Sequence, residues 1–183
     1  MARTKKAKFF IQKHGARSLH YDFRLEIDDV LKSWAIPKGP SLNPADKRLA
    51  VHVVDHPLDY GPFEGVIPAG NYGAGPVMLW DSGEFVFLPE ARSKKEKPPA
   101  DAREAFRQGA LKFELKGKKC KGKWGLIHMK GLGKAWLLVK DRDEYADRET
   151  NFVEAFPTSV KTGRTLEEIR QEDQKKNPKC AAS

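Results

Sequence analysis

Between Leu19 and Ile27 every second residue is apolar. Leu19, Tyr21, Phe23, Leu25 and Ile27 alternate with His20, Asp22, Arg24 and Glu26. An extended strand sorts this pattern into two faces, because successive side chains point in opposite directions. The apolar set therefore faces a core, and His20, Asp22 and Arg24 share the other face. Outer faces of half-buried strands commonly carry Lys, Glu and Thr. A His-Asp-Arg row in that place is unusual and marks this strand as more than scaffold.

The surrounding sequence extends the strand reading. Phe9–His14 is a short predicted strand. Asp28-Asp29 turns Leu19–Ile27 into Val30–Ile36, a hairpin that Pro37-Lys38-Gly39-Pro40 ends. Leu49–Val54 is a further apolar strand. Pro57, Gly61, Pro62 and Gly65 mark loop, and the glycine-rich run to Gly75 reads as a tight turn between strands. Pro76–Trp80 and Glu84–Leu88 flank Asp81-Ser82-Gly83, a second hairpin signal. Asp101–Gln108 suits a short helix closed by Gly109. Ala110–Leu115, Lys123–His128 and Ala135–Lys140 read as three more strands. Thr165 to Glu168 fits a capping box, opening a helix to about Asp173. Many short strands with Gly and Pro turns predict a mainly β chain, a compact antiparallel β-barrel with peripheral helices. The expected divisions are a basic N-terminal arm (1–8), the barrel domain (9–140) and a charged tail (141–183) whose one helix is at about 165–173.

Charge narrows the function. Residues 141–183 carry 8 basic and 10 acidic side chains, whereas the first 140 carry 26 basic and 15 acidic, a net of +11. A body this basic suits a polyanionic partner. No apolar run approaches 18 residues, and the start has no signal-peptide pattern, so a bacterial or archaeal cytosol is the expected setting. Cys120 and Cys180 form neither a metal-type pair nor a disulfide framework.

Chemistry concentrates near the first strands. If Phe9–His14 pairs beside Leu19–Ile27, His14 comes next to His20, and two imidazoles meet one carboxylate. Such a set suits Mn²⁺, Fe²⁺ or Zn²⁺ and leaves coordination positions open. Arg24 on the same face offers a planar fork for a phosphate. His56, at a strand end before Pro57, suits a phosphate oxygen or a leaving group. Lys38 and Arg48 lie in nearby segments and add positive charge. His52 and His128 read as structural. The lysines at 112, 116, 118, 119, 121, 123, 130 and 134 suit either a DNA-tracking strip or a solvated hairpin. There is no P-loop, no Gly-x-Ser-x-Gly elbow and no ligase Lys-x-Asp-Gly run. Two rival classes fit parts of this pattern. A non-haem iron oxygenase would use the same two-histidine, one-carboxylate triad. A non-catalytic nucleic-acid-binding module would use the basic hairpin alone.

Phe10 to His14, Leu19 to Glu26 and Leu31 to Ser41 resemble the 3′-phosphoesterase domain of bacterial DNA ligase D. So do Asp46 to Val53, Asp55 to Tyr60, Phe63 to Pro68, Trp136 to Lys140 and Ser159 to Ile169. The resemblance implies a β-barrel with a manganese site, which other divalent transition metals such as Co²⁺ or Zn²⁺ can fill. By motif match His14, His20 and Asp22 are its metal ligands. Arg24, Arg48 and His56 surround the scissile phosphate, and Gln12, Lys38 and Tyr60 support them. The implied substrate is a DNA or RNA-tipped DNA 3′ end in a primer-template duplex. One cut removes a terminal ribonucleoside, and a second removes the remaining 3′-phosphate. The implied setting is double-strand break repair by end joining, with a separate DNA ligase, a polymerase and a Ku-type end-binding protein. Two departures stand out: Val54 occupies a position where the family often carries a glutamate, and only seven residues precede Lys8.

Overall fold

The computed structural model describes residues 6–91 and 93–176. Its strands are β1 (Lys8–Gly15), β2 (Leu19–Ile27), β3 (Val30–Ile36), β4 (Arg48–His56), β5 (Gly65–Ile67), β6 (Gly75–Phe87), β7 (Ala110–Gly117), β8 (Lys121–His128) and β9 (Ala135–Lys140). They pair in the order β1-β2-β3-β4-β9-β8-β7-β6-β5, and β1 pairs again with β6. That second pairing closes eight of the strands into an antiparallel barrel, as the sequence predicts. Closure removes the exposed edges that an open sheet would leave.

The β2–β3 hairpin shows local chemistry setting register. Asp28 and Asp29 both adopt left-handed backbone, at φ 57° and 62°. Two such residues make a turn whose twist matches that of the flanking strands. Ile27 then pairs with Val30, Arg24 with Ser33 and Asp22 with Ala35. The apolar positions of β2 turn inward as expected. Tyr21, Phe23, Leu25 and Ile27 join Phe9, Ile11, Trp34, Ile36, Met78 and Trp80 in the core.

One expected hairpin is absent. Asp81-Ser82-Gly83 is not a turn but the middle of the continuous strand β6. Asp81 is fully buried and accepts the backbone N–H groups of Lys118, Lys119 and Cys120 at the β7–β8 turn. A Cβ on Gly83 would lie 2.2 Å from the Lys116 carbonyl oxygen. Glycine is there because β7 passes close, not because the chain reverses. The run after Gly65 also holds the short strand β5 before its turns.

Three short α-helices decorate the barrel. α1 (Ala102–Gln108) is capped by Asp101, which accepts the Glu104 N–H, and ends at left-handed Gly109. α2 (Phe152–Ala155) is an element the sequence reading lacks, and its Phe152 enters the core. α3 (Leu166–Lys176) runs three residues beyond Asp173. Its reciprocal capping box joins Thr165 and Glu168, each backbone N–H meeting the other's side-chain oxygen at 3.2 Å. Described residues after 140 thus pack on the barrel, with Phe152 and Ile169 in its core and Trp80 Nε1 donating to the Phe156 carbonyl at 2.6 Å. Among the described residues no helix is long and apolar enough to cross a membrane. The expected arm over residues 1–5, Arg92 and Cys180 lie outside the described residues.

Candidate metal and phosphate site

The outer faces of β1, β2 and β3 carry the site. Antiparallel register sets His14 opposite His20, Gln12 opposite Asp22, and Arg24 opposite Ser33. This polar face is not solvated. Gln12 and Ser33 are 0% exposed and Arg24 is 3% exposed, with His14 and Asp22 also buried. The cover is the 57–64 segment, which contains a 3-10 turn at Leu58–Tyr60. Gln12 fastens that cover to the barrel. Its amide nitrogen donates to the Tyr60 and Phe63 carbonyls at 3.1 Å, with the Gly61 carbonyl also in reach at 3.3 Å. Its oxygen accepts Arg24 Nε–H at 2.7 Å. Gly61 permits the close approach, since a Cβ there would sit 2.4 Å from the Phe10 ring.

Three possible ligand atoms from His14, His20 and Asp22 lie within 4.8 Å of one another. His14 Nδ1 is 3.4 Å and His20 Nε2 is 3.2 Å from the same Asp22 oxygen. The outer nitrogen of each ring meets a backbone carbonyl: His14 Nε2 at Gly73, 2.5 Å, and His20 Nδ1 at Ser18, 3.0 Å. A carbonyl only accepts, so those outer nitrogens carry protons; the inner nitrogens face the Asp22 carboxylate, hydrogen-bonded to it at His20, and would turn their lone pairs to a metal that took the place of that contact. Carbonyl-oriented imidazoles are the usual outer support of metal-binding histidines. Two neutral imidazoles and one carboxylate fit a divalent transition metal. Burial would raise the Asp22 carboxyl, but His14, His20 and the charge of Arg24 pull it well below the ordinary carboxylate range. The hydrogen bond to Asp22 raises the His20 imidazole in turn, against the opposing effect of burial.

Arg24 links this cluster to His56. Its Nη1 donates to Ser33 Oγ at 2.8 Å and lies 3.0 Å from His56 Nδ1, while Nη2 is 3.6 Å from Asp22. Its guanidinium also sits 5.1 Å from the centre of the Tyr60 ring. Tyr60 in turn stacks on His56, with ring centres 5.0 Å apart. Burial, and then the adjacent guanidinium, lower the His56 pKa. His56 Nδ1 also lies 3.0 Å from the Val54 carbonyl. One nitrogen cannot donate to Val54 and accept from Arg24 at once, so these two contacts select opposite tautomers. The side chain of Val54 is exposed, and it is the residue's backbone that meets His56.

The structure therefore gathers Gln12, His14, His20, Asp22, Arg24, His56 and Tyr60 through direct contacts. It does not join Lys38 or Arg48 to them. Lys38 is exposed, and Arg48 faces Asp46 at 3.8 Å; among the described residues neither bonds to the cluster. His52 packs between Trp34 and Phe106, at ring-centre distances of 5.5 and 5.4 Å. His128 stacks on Trp136. The basic hairpin is not a uniform strip either. Lys112 pairs with Asp141 at 2.8 Å. Lys119 turns over the Trp80 ring and donates to the Thr158 carbonyl, and burial lowers its pKa to about 8. Sequence reasoning missed Ser33 and the Gly73 carbonyl. Ser33 was within reach, because a two-residue Asp28-Asp29 turn fixes its pairing with Arg24.

A family model described as the DNA ligase D 3′-phosphoesterase domain matches residues 12–128. The chain is 48% identical over 163 residues to the multifunctional non-homologous end joining protein LigD of Pseudomonas aeruginosa. That match covers 87% of this chain and 18% of the relative. The protein of the same name from Mycolicibacterium smegmatis is 41% identical over 151 residues, covering 82% of this chain and 19% of the relative. A Mycobacterium tuberculosis LigD is 58% identical over 77 residues, 42% of this chain and 10% of that protein. The chain thus spans less than a fifth of the length of these curated relatives.

Proposed function

Because the chain belongs to the DNA ligase D 3′-phosphoesterase domain family, we propose that it is a divalent-metal-dependent phosphoesterase that heals 3′ ends of DNA for end joining. The observation that carries this reading is a three-donor cluster beside a buried guanidinium bonded to His56. The metal of choice is Mn²⁺, with Co²⁺ or Zn²⁺ as alternatives, held by His14, His20 and Asp22. A divalent metal bound there supplies Lewis acidity toward a phosphate oxygen and lowers the pKa of bound water.

The other residues have defined tasks. Arg24 is held by Gln12 and Ser33, so its charge is fixed before a phosphate arrives and stabilises the charge that develops on it. His56, whose pKa burial and Arg24 lower, offers a hydrogen bond from Nε2 to a phosphate oxygen when Nδ1 accepts from the guanidinium. Tyr60 holds the His56 ring by stacking. The proposed sequence is hydrolysis of the diester to release a terminal ribonucleoside, then hydrolysis of the 3′-phosphate to leave a 3′-hydroxyl. A 3′-hydroxyl is what a ligase needs, so a DNA ligase, a polymerase and a Ku-type end-binding protein complete the proposed setting. A facial-triad oxygenase would share the three donors, but the match to the phosphoesterase family favours phosphate chemistry at them.

The test is a gel assay on a 5′-labelled primer-template ending in one ribonucleotide. It is run with Mn²⁺, with EDTA, and with His20→Ala plus Mn²⁺. Shortening to a 3′-phosphate and then a 3′-hydroxyl, in the wild type with metal alone, is expected. An intact strand that is still bound and shifted by the protein would overturn the enzyme reading in favour of a binding module.

A further inference from the structure

Tyr72 is completely exposed, at 104% of its reference area, on the turn between β5 and β6. Single exposed apolar side chains are common and need no explanation. The placement of this one does. Among the described residues Tyr72 makes no hydrogen bond or ring contact, whereas Tyr21 packs on Trp80 and Tyr60 on His56 and Phe63. Its neighbour Gly73 supplies the carbonyl that accepts the His14 proton at 2.5 Å. Successive Cα atoms are about 3.8 Å apart, so the ring is rooted one residue from the atom that orients a proposed metal ligand.

The turn that carries the ring is well fixed. Asn71 N–H donates to the Pro68 carbonyl at 3.3 Å, and Ala74 N–H to Asn71 at 3.2 Å. The Asn71 side chain adds a bond to Pro68 at 3.1 Å. Gly73 and Gly75 have φ of 74° and 133°, and a Cβ on Gly75 would lie 2.1 Å from the Gly15 carbonyl oxygen. The backbone therefore passes close over the end of β1, with the exposed Tyr72 one residue before the Gly73 carbonyl that meets His14. Arg24, His56 and Tyr60 flank the cluster on another side.

We propose that Tyr72 is a stacking platform for the nucleobase at the 3′ terminus of the substrate strand. This rests on the phosphoesterase reading above. A phosphate at the cluster leaves its nucleoside reaching outward, and an unpartnered ring is ready to receive the base. Every base has a π-face, so stacking holds a terminal nucleoside without choosing its identity. An end-healing enzyme needs that tolerance. Tyrosine has only two side-chain torsions to freeze, so ordering it on binding costs little.

The probe is a primer-template with 2-aminopurine at the 3′-terminal ribonucleotide, whose fluorescence falls when the base stacks. Tyr72→Ala, Tyr72→Phe and, as a control, Tyr145→Ala on an exposed tyrosine after β9 are compared with the wild type. Expected are quenching by wild type and Tyr72→Phe, loss of quenching in Tyr72→Ala, and a KM about tenfold higher with kcat little changed. Manganese affinity, read by electron paramagnetic resonance, should stay constant across the set, and Tyr145→Ala should behave as wild type. Unchanged quenching and KM in Tyr72→Ala would overturn the proposal. So would a KM rise matched by weaker manganese binding, which would make Tyr72 a support of the loop. If the wild type quenches but never cleaves, the phosphoesterase reading falls, and loss of the quench in Tyr72→Ala still upholds the stacking platform.

Discussion

Glu64 and Arg164 lie 100 residues apart in sequence and meet at 3.0 Å. The Glu64 side chain is 1% exposed, and Arg164 is 23% exposed. One Glu64 oxygen accepts the Leu79 N–H of β6 at 2.9 Å, and the other takes Thr162 Oγ1–H at 2.5 Å together with Arg164. Lys161 Nζ donates to the Pro62 carbonyl at 3.0 Å. Residues 161–164 therefore clasp the same segment that Gln12 fastens from beneath. An exposed ion pair contributes up to about 1 kcal/mol, whereas breaking a buried one costs about 3–5 kcal/mol. Arg164 is partly exposed and also paired with Glu172, so an intermediate cost of about 2 kcal/mol is expected for Arg164→Ala. For a chain of this size that lowers Tm by about 4–8 °C. Glu64→Ala also strands the Leu79 N–H, which adds about 1–3 kcal/mol.

The assay is a double-mutant cycle by urea unfolding with Arg164→Ala, Glu64→Ala and the pair. A coupling of about 2 kcal/mol is expected. A coupling below about 0.5 kcal/mol would refute the clasp and leave the pair as a surface contact. The pH dependence gives a second check. Burial pushes the Glu64 carboxyl up, but hydrogen bonds from Ser159, Thr162, Leu79 and Arg164 outweigh it, so its folded pKa lies below the ordinary 4.5. A depressed carboxyl contributes stability that is complete above the unfolded pKa and lost as pH falls through the folded one. The stability gap between wild type and Glu64→Gln should hold at neutral pH and narrow below about 4.5.

Three further outcomes follow from single atoms. Gly75→Ala places a Cβ against the Gly15 carbonyl at a φ of 133° and should cost about 3 kcal/mol by thermal unfolding. Asp81→Ala removes the acceptor of three backbone N–H groups and should cost about 3–4 kcal/mol, read as a lower urea midpoint with an unchanged slope. Asp22→Asn should weaken Mn²⁺ binding at least about 100-fold in a calorimetric titration while circular dichroism shows the barrel intact; unchanged affinity would exclude this carboxylate as a ligand.

The first hairpin was readable because one face of each strand is buried and the period of two is strict. Phe23 and Leu25 could only face the core, so Asp22 and Arg24 could only face away from it. The alternation did not say that the outer face is buried as well. That depends on the 57–64 segment, which sequence presents as a proline- and glycine-broken loop with no sign of where it lies. The same blindness explains β6. Asp81-Ser82-Gly83 has turn composition, yet each residue answers to a distant partner: Asp81 to the β7–β8 turn, Gly83 to the β7 backbone. Phe152 and Ile169 sit in a charged tail whose sequence names no partner for them, and they become core only through contacts with strands far away in sequence.

Gln12 couples the covering segment to the site beneath it. An outer barrel face is normally wet, and a guanidinium there is screened and mobile. Here one amide satisfies two demands at once: its nitrogen closes the carbonyls of the covering segment, and its oxygen fixes Arg24. Remove it, and the segment loses its anchor while Arg24 loses the partner that aims it. Gln12→Leu should thus lower kcat more than an exposed-face change of similar size, with Mn²⁺ affinity little altered, because the cluster of His14, His20 and Asp22 keeps its own carbonyl supports. A variant that lost metal affinity and activity together would show instead that the cover and the cluster are one unit.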